Sequence, residues 1–177
     1  MKRTATTFFL LLFLFIISID SHSVEKKTIP SLTMEQIANA TIFIEDKKVK
    51  LKNGHYEKRK KGSDTLLVDL TTWVKFTDLD KDGSEDAAVI FVWNKGGEEI
   101  FYELAAVLNK KGKAKHISSV DLGDRVVIKS LEMQSDTVQL DMLTHGEGDE
   151  NCCPTVPTMV RYNFQDEKLI EQKRVEE

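Results

Sequence analysis

Alternating apolar and polar positions between residues 65 and 172 predict a series of β-strands. Val138, Leu140 and Met142 alternate with polar residues, a period of two that is typical of half-exposed antiparallel strands. Segments rich in glycine, asparagine and charge separate the apolar runs. The predicted strands are Val49–Leu51, Leu66–Phe76, Ala87–Trp93, Ile100–Leu108, Ala114–Leu122, Arg125–Met133, Thr137–Leu143, Thr158–Phe164 and Lys168–Gln172.

One run, Ile100–Leu108, is almost continuously apolar, as expected of a central strand that is buried on both faces. Periodicity alone also permits a helix here. The flanking Gly96-Gly97 pair and the Asn109–Gly112 turn favour a strand.

A short helix is predicted near the start of the domain. Ser31 or Thr33 can cap its first turn, Gln36 follows within that turn, and the helix is expected to end before Thr41. The predicted fold class is therefore mainly β (α+β): an antiparallel sheet with one short N-terminal helix. We expect residues 24–177 to form a single domain of this kind.

The N-terminal segment, residues 1–23, has the organisation of a secretory signal peptide. Lys2 and Arg3 precede the apolar run Phe8–Ile19, and small residues follow just before Val24. The run is shorter than the ~20 residues that span a bilayer, so cleavage near Val24 is favoured over an uncleaved anchor. Since no cysteine lies near this point, a lipid anchor is not expected. The predicted location is periplasmic or secreted.

The charge balance narrows the class of partner. Removing residues 1–23 takes two basic and one acidic residue from totals of 25 and 29, which leaves a net charge of −5. A mildly acidic chain lacks the excess of positive charge that binding to a nucleic acid backbone requires. We therefore expect an envelope protein or a small ligand as partner, with no nucleic acid and no stable membrane anchor.

The segment between the second and third predicted strands carries acidic residues in a spacing suited to a hard cation. Carboxylates at alternate positions, followed by Gly83, can converge on calcium, which takes six to eight oxygen ligands. Four carboxylates so close together repel one another unless a cation lies between them. The candidate ligands are Asp78, Asp80, Asp82, Ser84 through its backbone carbonyl, and Asp86 directly or through water.

This segment is not an EF-hand, because valine occupies the twelfth position, which requires glutamate, and because strands flank the loop. It resembles the D-x-D-x-D-G-x-x-D loops between strands of FG-GAP-type extracellular repeats, which implies a calcium loop without implying a propeller. The alternative is an acidic hairpin turn in which aspartate side chains accept hydrogen bonds from nearby backbone N–H groups.

The adjacent Cys152 and Cys153 lie in a loop with His145 and Asp149. Export to an oxidising compartment favours a disulfide between the two neighbours. The alternatives are separate thiols, two cysteines packed as small apolar residues, and metal binding with His145 and Asp149. The spacing lacks the C-x-x-C units of zinc sites and thiol oxidoreductases, which disfavours both of these chemistries.

The string Gly148–Thr155 (GDENCCPT), followed by the strand Met159–Phe164, resembles the closing motif of LppP/LprE-type bacterial lipoproteins. Related exported proteins of unassigned chemistry combine this ending with an acidic D-x-D-x-D-G loop and a Leu-Gly-Asp-Arg string, here Leu122–Arg125. The resemblance extends from about Thr71 to Phe164 and implies no activity. The chain departs from the lipoprotein pattern because it lacks the lipid-attachment cysteine.

Two classes of function remain. The first is a non-enzymatic binding or interaction protein of the bacterial envelope with a structural Ca²⁺ loop. The second is a periplasmic hydrolase that uses the aspartate cluster or His145. The first is favoured because no complete acid–base or nucleophile set is visible. The remaining histidines of the domain, His55 and His116, have charged neighbours and are expected in surface strands or loops.

Overall fold

The computed structural model describes residues 29–59 and 65–172. The signal peptide predicted for residues 1–23 lies outside the described residues. The elements are α1 (Met34–Ala38), β1 (Thr41–Ile44), β2 (Lys47–Lys50), β3 (His55–Lys58), β4 (Leu66–Thr77), β5 (Asp86–Asn94), β6 (Phe101–Asn109), β7 (Ala114–Asp124), β8 (Val127–Gln134), β9 (Thr137–Thr144), β10 (Val156–Gln165) and β11 (Lys168–Glu171).

The helix α1 begins with a capping box. The hydroxyl of Thr33 accepts the backbone N–H of Gln36, and the Gln36 side chain accepts the backbone N–H of Thr33. This reciprocal pair satisfies two N–H groups that lack partners within the helix. Thr33, rather than Ser31, is therefore the cap.

The strands form three antiparallel sheets, so the predicted mainly β class is confirmed. One sheet has five strands in the order β3-β4-β5-β6-β7, a second has four in the order β11-β10-β9-β8, and β1 pairs with β2. All strand pairs are antiparallel, and consecutive strands pair throughout the two larger sheets.

Both faces of the five-stranded sheet are covered, which divides the core into two clusters. The first contains Val89, Phe91 and Val107 of the sheet, packed with residues of α1 and the β1–β2 hairpin such as Ile37 and Ile42. The second packs the opposite face of the sheet against the four-stranded sheet; its members include Ile90, Leu104, Leu108, Val138 and Leu140. This layering explains why β5 and β6 have no polar face.

Several local predictions were incomplete or wrong. Thr41–Ile44 forms a strand that the sequence pattern did not predict. His55, expected in a surface strand or loop, lies in the strand His55–Lys58, which pairs with β4. The strand predicted from Arg125 begins at Val127, because Arg125 has a φ of 49°. His116 is buried at 7% exposure, contrary to the expected surface position. Among the described residues, no helix has the length and apolar character needed to cross a membrane.

Candidate functional site

The acidic segment forms the connection between β4 and β5, and its carboxylates hold the turn together. Asp78 accepts the backbone N–H groups of Asp82 at 3.1 Å and Gly83 at 2.9 Å. Asp80 accepts the N–H of Asp82 at 3.2 Å, and Asp82 accepts the N–H of Ser84 at 2.8 Å. Gly83 has a φ of 85°, which glycine adopts without steric cost. These hydrogen bonds curl the backbone of the loop into a compact turn.

Asp86, the first residue of β5, is fully buried at the base of this loop. One carboxylate oxygen accepts the N–H of Leu79 at 2.9 Å, and the other accepts the N–H of Asn109 at 2.7 Å. Burial raises the pKa of Asp86 above its ordinary value, although these N–H groups oppose the rise. Asp86 therefore links the loop to the ends of β5 and β6.

Three of the predicted ligands come together. One carboxylate oxygen from each of Asp78, Asp80 and Asp86 lies within 4.8 Å of the other two, so this group could hold a metal ion. Asp82 is outside this group, and Ser84 is buried with its N–H directed to Asp82. The loop therefore shows both features that the sequence suggested. Its aspartates accept backbone N–H groups, as in an acidic hairpin turn, and three of its carboxylates also converge as a cation site requires.

A lysine from another strand connection approaches the same cluster. The Nζ of Lys110 donates to Asp80 at 2.6 Å and lies 4.0 Å from Asp82. The hydrogen bond to Asp80, with further attraction from Asp82 and Asp86, raises the pKa of Lys110. Sequence reasoning missed this residue because it is 30 positions from Asp80 and carries no motif.

Comparison with known proteins identifies no relative. No family model, curated protein or solved structure matches the chain. Function must therefore be argued from the geometry of the sites.

The cysteine loop, residues 145–155, joins β9 to β10 and contains a disulfide between Cys152 and Cys153. Asp149 organises this loop by accepting the N–H of Gly146 at 2.8 Å and both the N–H and the hydroxyl of Thr155, at 2.9 and 2.8 Å. The hydrogen bonds from Gly146 and Thr155 and the nearby His145 lower the pKa of Asp149. The carboxylate of Asp149 therefore stabilises the conformation of the cysteine loop.

The Leu122–Arg125 string and the cysteine loop line one cleft of about 400 Å³. The Leu122–Arg125 string supplies Asp124 and Arg125, which form an ion pair, and the cysteine loop supplies His145 and Asp149. Buried Nε2 of His145 has no hydrogen-bond partner among the described residues. His145 and Asp149 do not belong to any three-ligand metal group in the described part of the chain.

Proposed function

We propose that this chain is an exported, non-enzymatic binding protein of the bacterial envelope in which the Asp78–Asp86 loop binds a structural Ca²⁺ ion. The observation that carries the proposal is the convergence of the carboxylates of Asp78, Asp80 and Asp86. All three offer oxygen, the ligand that hard cations such as calcium prefer. The resemblance to FG-GAP-type calcium loops supports the same ion.

The position of the loop supports a structural role for the ion. Asp86 accepts an N–H from Asn109 at the end of β6, and the loop itself joins β4 to β5. An ion bound at Asp86 would therefore connect β4, β5 and β6, three neighbouring strands of the five-stranded sheet. Calcium is favoured over magnesium because an irregular, curled loop suits calcium's flexible coordination better than the strict octahedron of magnesium.

The alternative of a periplasmic hydrolase would use the aspartate cluster or His145. The carboxylates of the loop accept backbone N–H groups that fix its shape, and this arrangement favours the structural role. Asp149 is likewise engaged with Gly146 and Thr155. The arrangement of these side chains therefore gives the hydrolase hypothesis no specific support.

Thermal unfolding of the mature protein tests the calcium loop. Circular dichroism melts are recorded in EDTA, in excess CaCl₂ and in excess MgCl₂. At 100 times the dissociation constant, calcium should contribute about 2.7 kcal/mol, or roughly 5–10 °C in melting temperature for a chain of this size. Asp78→Asn should abolish the calcium-dependent shift. The matched control, Asp166→Asn, changes an exposed aspartate in the β10–β11 turn and should retain it.

Absence of a calcium-dependent shift in melting temperature in the parent protein at millimolar calcium would refute the proposed calcium loop.

Export is tested separately by expressing the full chain in a bacterial host and measuring the intact mass of the protein recovered from the periplasm. The mass should correspond to a chain that begins near Val24. Recovery of the full-length chain in the membrane fraction would instead support an uncleaved anchor.

A further inference from the structure

A second site lies away from the acidic loop, in a groove of about 560 Å³ where three elements meet. The tip of the β1–β2 hairpin, the edge strand β7 and the start of β11 form its walls, and Glu103 of β6 contributes from within the sheet. None of the groove's lining residues belongs to the Asp78–Asp86 loop. The lining includes Phe43, Glu45, Asp46, Glu103, His116 and Asp121.

His116 is the first sign of a ligand in this groove. The residue is only 7% exposed, and neither ring nitrogen has a hydrogen-bond partner among the described residues. Buried polar groups in folded proteins are nearly always hydrogen-bonded, so an orphaned imidazole needs a partner. Desolvation lowers the pKa of His116 to about 4, which leaves the ring neutral at physiological pH. A neutral imidazole offers one nitrogen as donor and the other as acceptor.

The charge of the groove is the second sign. Glu103 and Asp121 are cross-strand partners on β6 and β7, and like charges placed directly opposite destabilise a sheet. Burial raises the pKa of Glu103, hydrogen bonds from Ser119 and Trp93 oppose the rise, and the charges of Asp121 and Glu45 add to it. Lys95, which lies outside the lining, donates to Glu45 at 2.7 Å and offsets part of this negative charge. Four carboxylates and a single lysine lie among the described lining residues. Such a groove attracts a cation and repels an anion.

The tip of the β1–β2 hairpin carries two of those carboxylates at positive φ, as the β10–β11 turn does at Asp166 and Glu167. Glu45 and Asp46 have φ values of 45° and 63°, a region where two-residue hairpins favour asparagine and glycine. Phe43, on the same hairpin, is 45% exposed, and its ring centroid lies 6.0 Å from that of His116. An aromatic face beside carboxylates suits a ligand that combines an ammonium group with an alkyl chain.

We propose that this groove binds an aliphatic ammonium ligand of the diamine or lysine type. The ammonium group lies among the carboxylates of Glu45, Glu103 and Asp121, the alkyl chain packs against Phe43, and a second polar group of the ligand hydrogen-bonds to His116. The residues of the groove do not form a three-ligand metal group within the described ranges, which favours an organic cation. The same chemistry could come from a free diamine or from a lysine side chain of a partner.

Titrations followed by two-dimensional NMR of the mature protein test this proposal. The probes are cadaverine and Nα-acetyl-lysine-N-methylamide, with the uncharged 1-pentanol as control. EDTA is present throughout, so the outcome does not depend on the calcium loop. Both amines should give saturable shifts confined to the groove, whereas 1-pentanol should not. Tighter binding of cadaverine would assign the site to free diamines, and tighter binding of the lysine derivative would assign it to a lysine side chain.

Two variants remove the groove's chemistry without weakening the fold. His116→Phe replaces an orphaned ring with an apolar one, and Glu45→Asn combined with Asp46→Gly installs a preferred hairpin turn. Each should keep or raise the melting temperature and weaken amine binding at least tenfold. The control, Asp166→Asn with Glu167→Gly, installs the same Asn-Gly turn before β11. These two positions are next to Lys168 but outside the lining of the groove, so the control should bind normally. Unsaturable titrations, equal binding of 1-pentanol, or unchanged binding by His116→Phe would each overturn the proposal.

Discussion

Replacing Lys110 with methionine should lower stability in the absence of calcium and strengthen calcium binding, so that the loss of stability largely disappears in saturating calcium. The Nζ of Lys110 lies 2.6 Å from an oxygen of Asp80 and 4.0 Å from one of Asp82. Without calcium, this ammonium group offsets the repulsion among the loop carboxylates. With calcium, it competes with the ion for the same oxygens. Lys110→Met keeps most of the alkyl chain and removes only the charge.

The size of the effect of Lys110→Met on stability follows from the distance between Lys110 and the loop carboxylates and from the exposure of the lysine side chain. Two unit charges 4 Å apart interact by about 1 kcal/mol in water and about 4 kcal/mol at an effective dielectric constant of 20. The Lys110 side chain is 39% exposed, so solvent screening places the effect near the lower figure. A change of about 1 kcal/mol corresponds to roughly 2–4 °C in melting temperature for a chain of this size. It also corresponds to about a fivefold change in calcium affinity, since 1.4 kcal/mol is tenfold.

The assay compares urea or thermal unfolding of parent and variant in EDTA and in saturating calcium, with calcium affinity from isothermal titration calorimetry. Lys110→Met should be less stable than the parent in EDTA and should bind calcium about fivefold more tightly. Lys75→Met is the control, because Lys75 is also 39% exposed and pairs with Glu132 outside the loop. If Lys110→Met loses stability equally in both conditions, or binds calcium more weakly, the inferred competition is wrong.

Four further predictions concern the acidic and cysteine loops. Asp86→Asn should lower the free energy of unfolding by about 1–3 kcal/mol even in EDTA, because an amide leaves one of the N–H groups held by Asp86 unmatched. Burial raises the pKa of Asp86 in the folded state. The stability that Asp86 contributes through this shift is therefore fully present below its unfolded-state pKa and is lost as the pH rises through its folded-state pKa. In urea titrations without calcium, the parent should gain stability relative to Asp86→Asn as the pH falls from neutral toward 4. Gly146→Ala should destabilise the protein by about 1 kcal/mol in the same titrations, since a Cβ atom there would lie 2.7 Å from a methyl group of Val156. Intact mass after iodoacetamide treatment should show two added groups only when the Cys152–Cys153 pair is reduced first, and two additions without reductant would refute the bond.

The strands could be predicted from sequence where burial imposes a clear pattern. Thr137–Thr144 alternates because one face of β9 packs into the core. Phe101–Asn109 is almost continuously apolar because β6 is covered on both faces. The β1 strand was missed for a local reason. Its turn to β2 uses Glu45 and Asp46 at positive φ, and neither glycine nor asparagine is present there to indicate a hairpin.

The residues of the candidate sites likewise fall into those that could be predicted from the sequence and those that could not. The acidic loop could be predicted because its ligands lie within nine consecutive residues of a recognisable spacing, and the fold needs only to curl that segment. Lys110 and His116 could not, because sheet pairing and layer packing bring them to their sites from distant parts of the chain. His116 also has charged neighbours in sequence, which indicate a surface position, whereas the hairpin and β11 cover it in the fold.

The groove brings together polar and charged residues in positions that packing alone does not favour. Glu103 interrupts an otherwise apolar buried strand and needs hydrogen bonds from other side chains to be accommodated there. His116 is buried without a partner, and Glu45 and Asp46 occupy a turn that favours smaller residues. Local choices in natural proteins normally agree with the global fold, and the exceptions concentrate at functional sites. Of these residues, His116 argues most strongly for a bound ligand, because Glu103 already accepts hydrogen bonds from Trp93 and Ser119 and a comparable positive-φ turn recurs at Asp166 and Glu167.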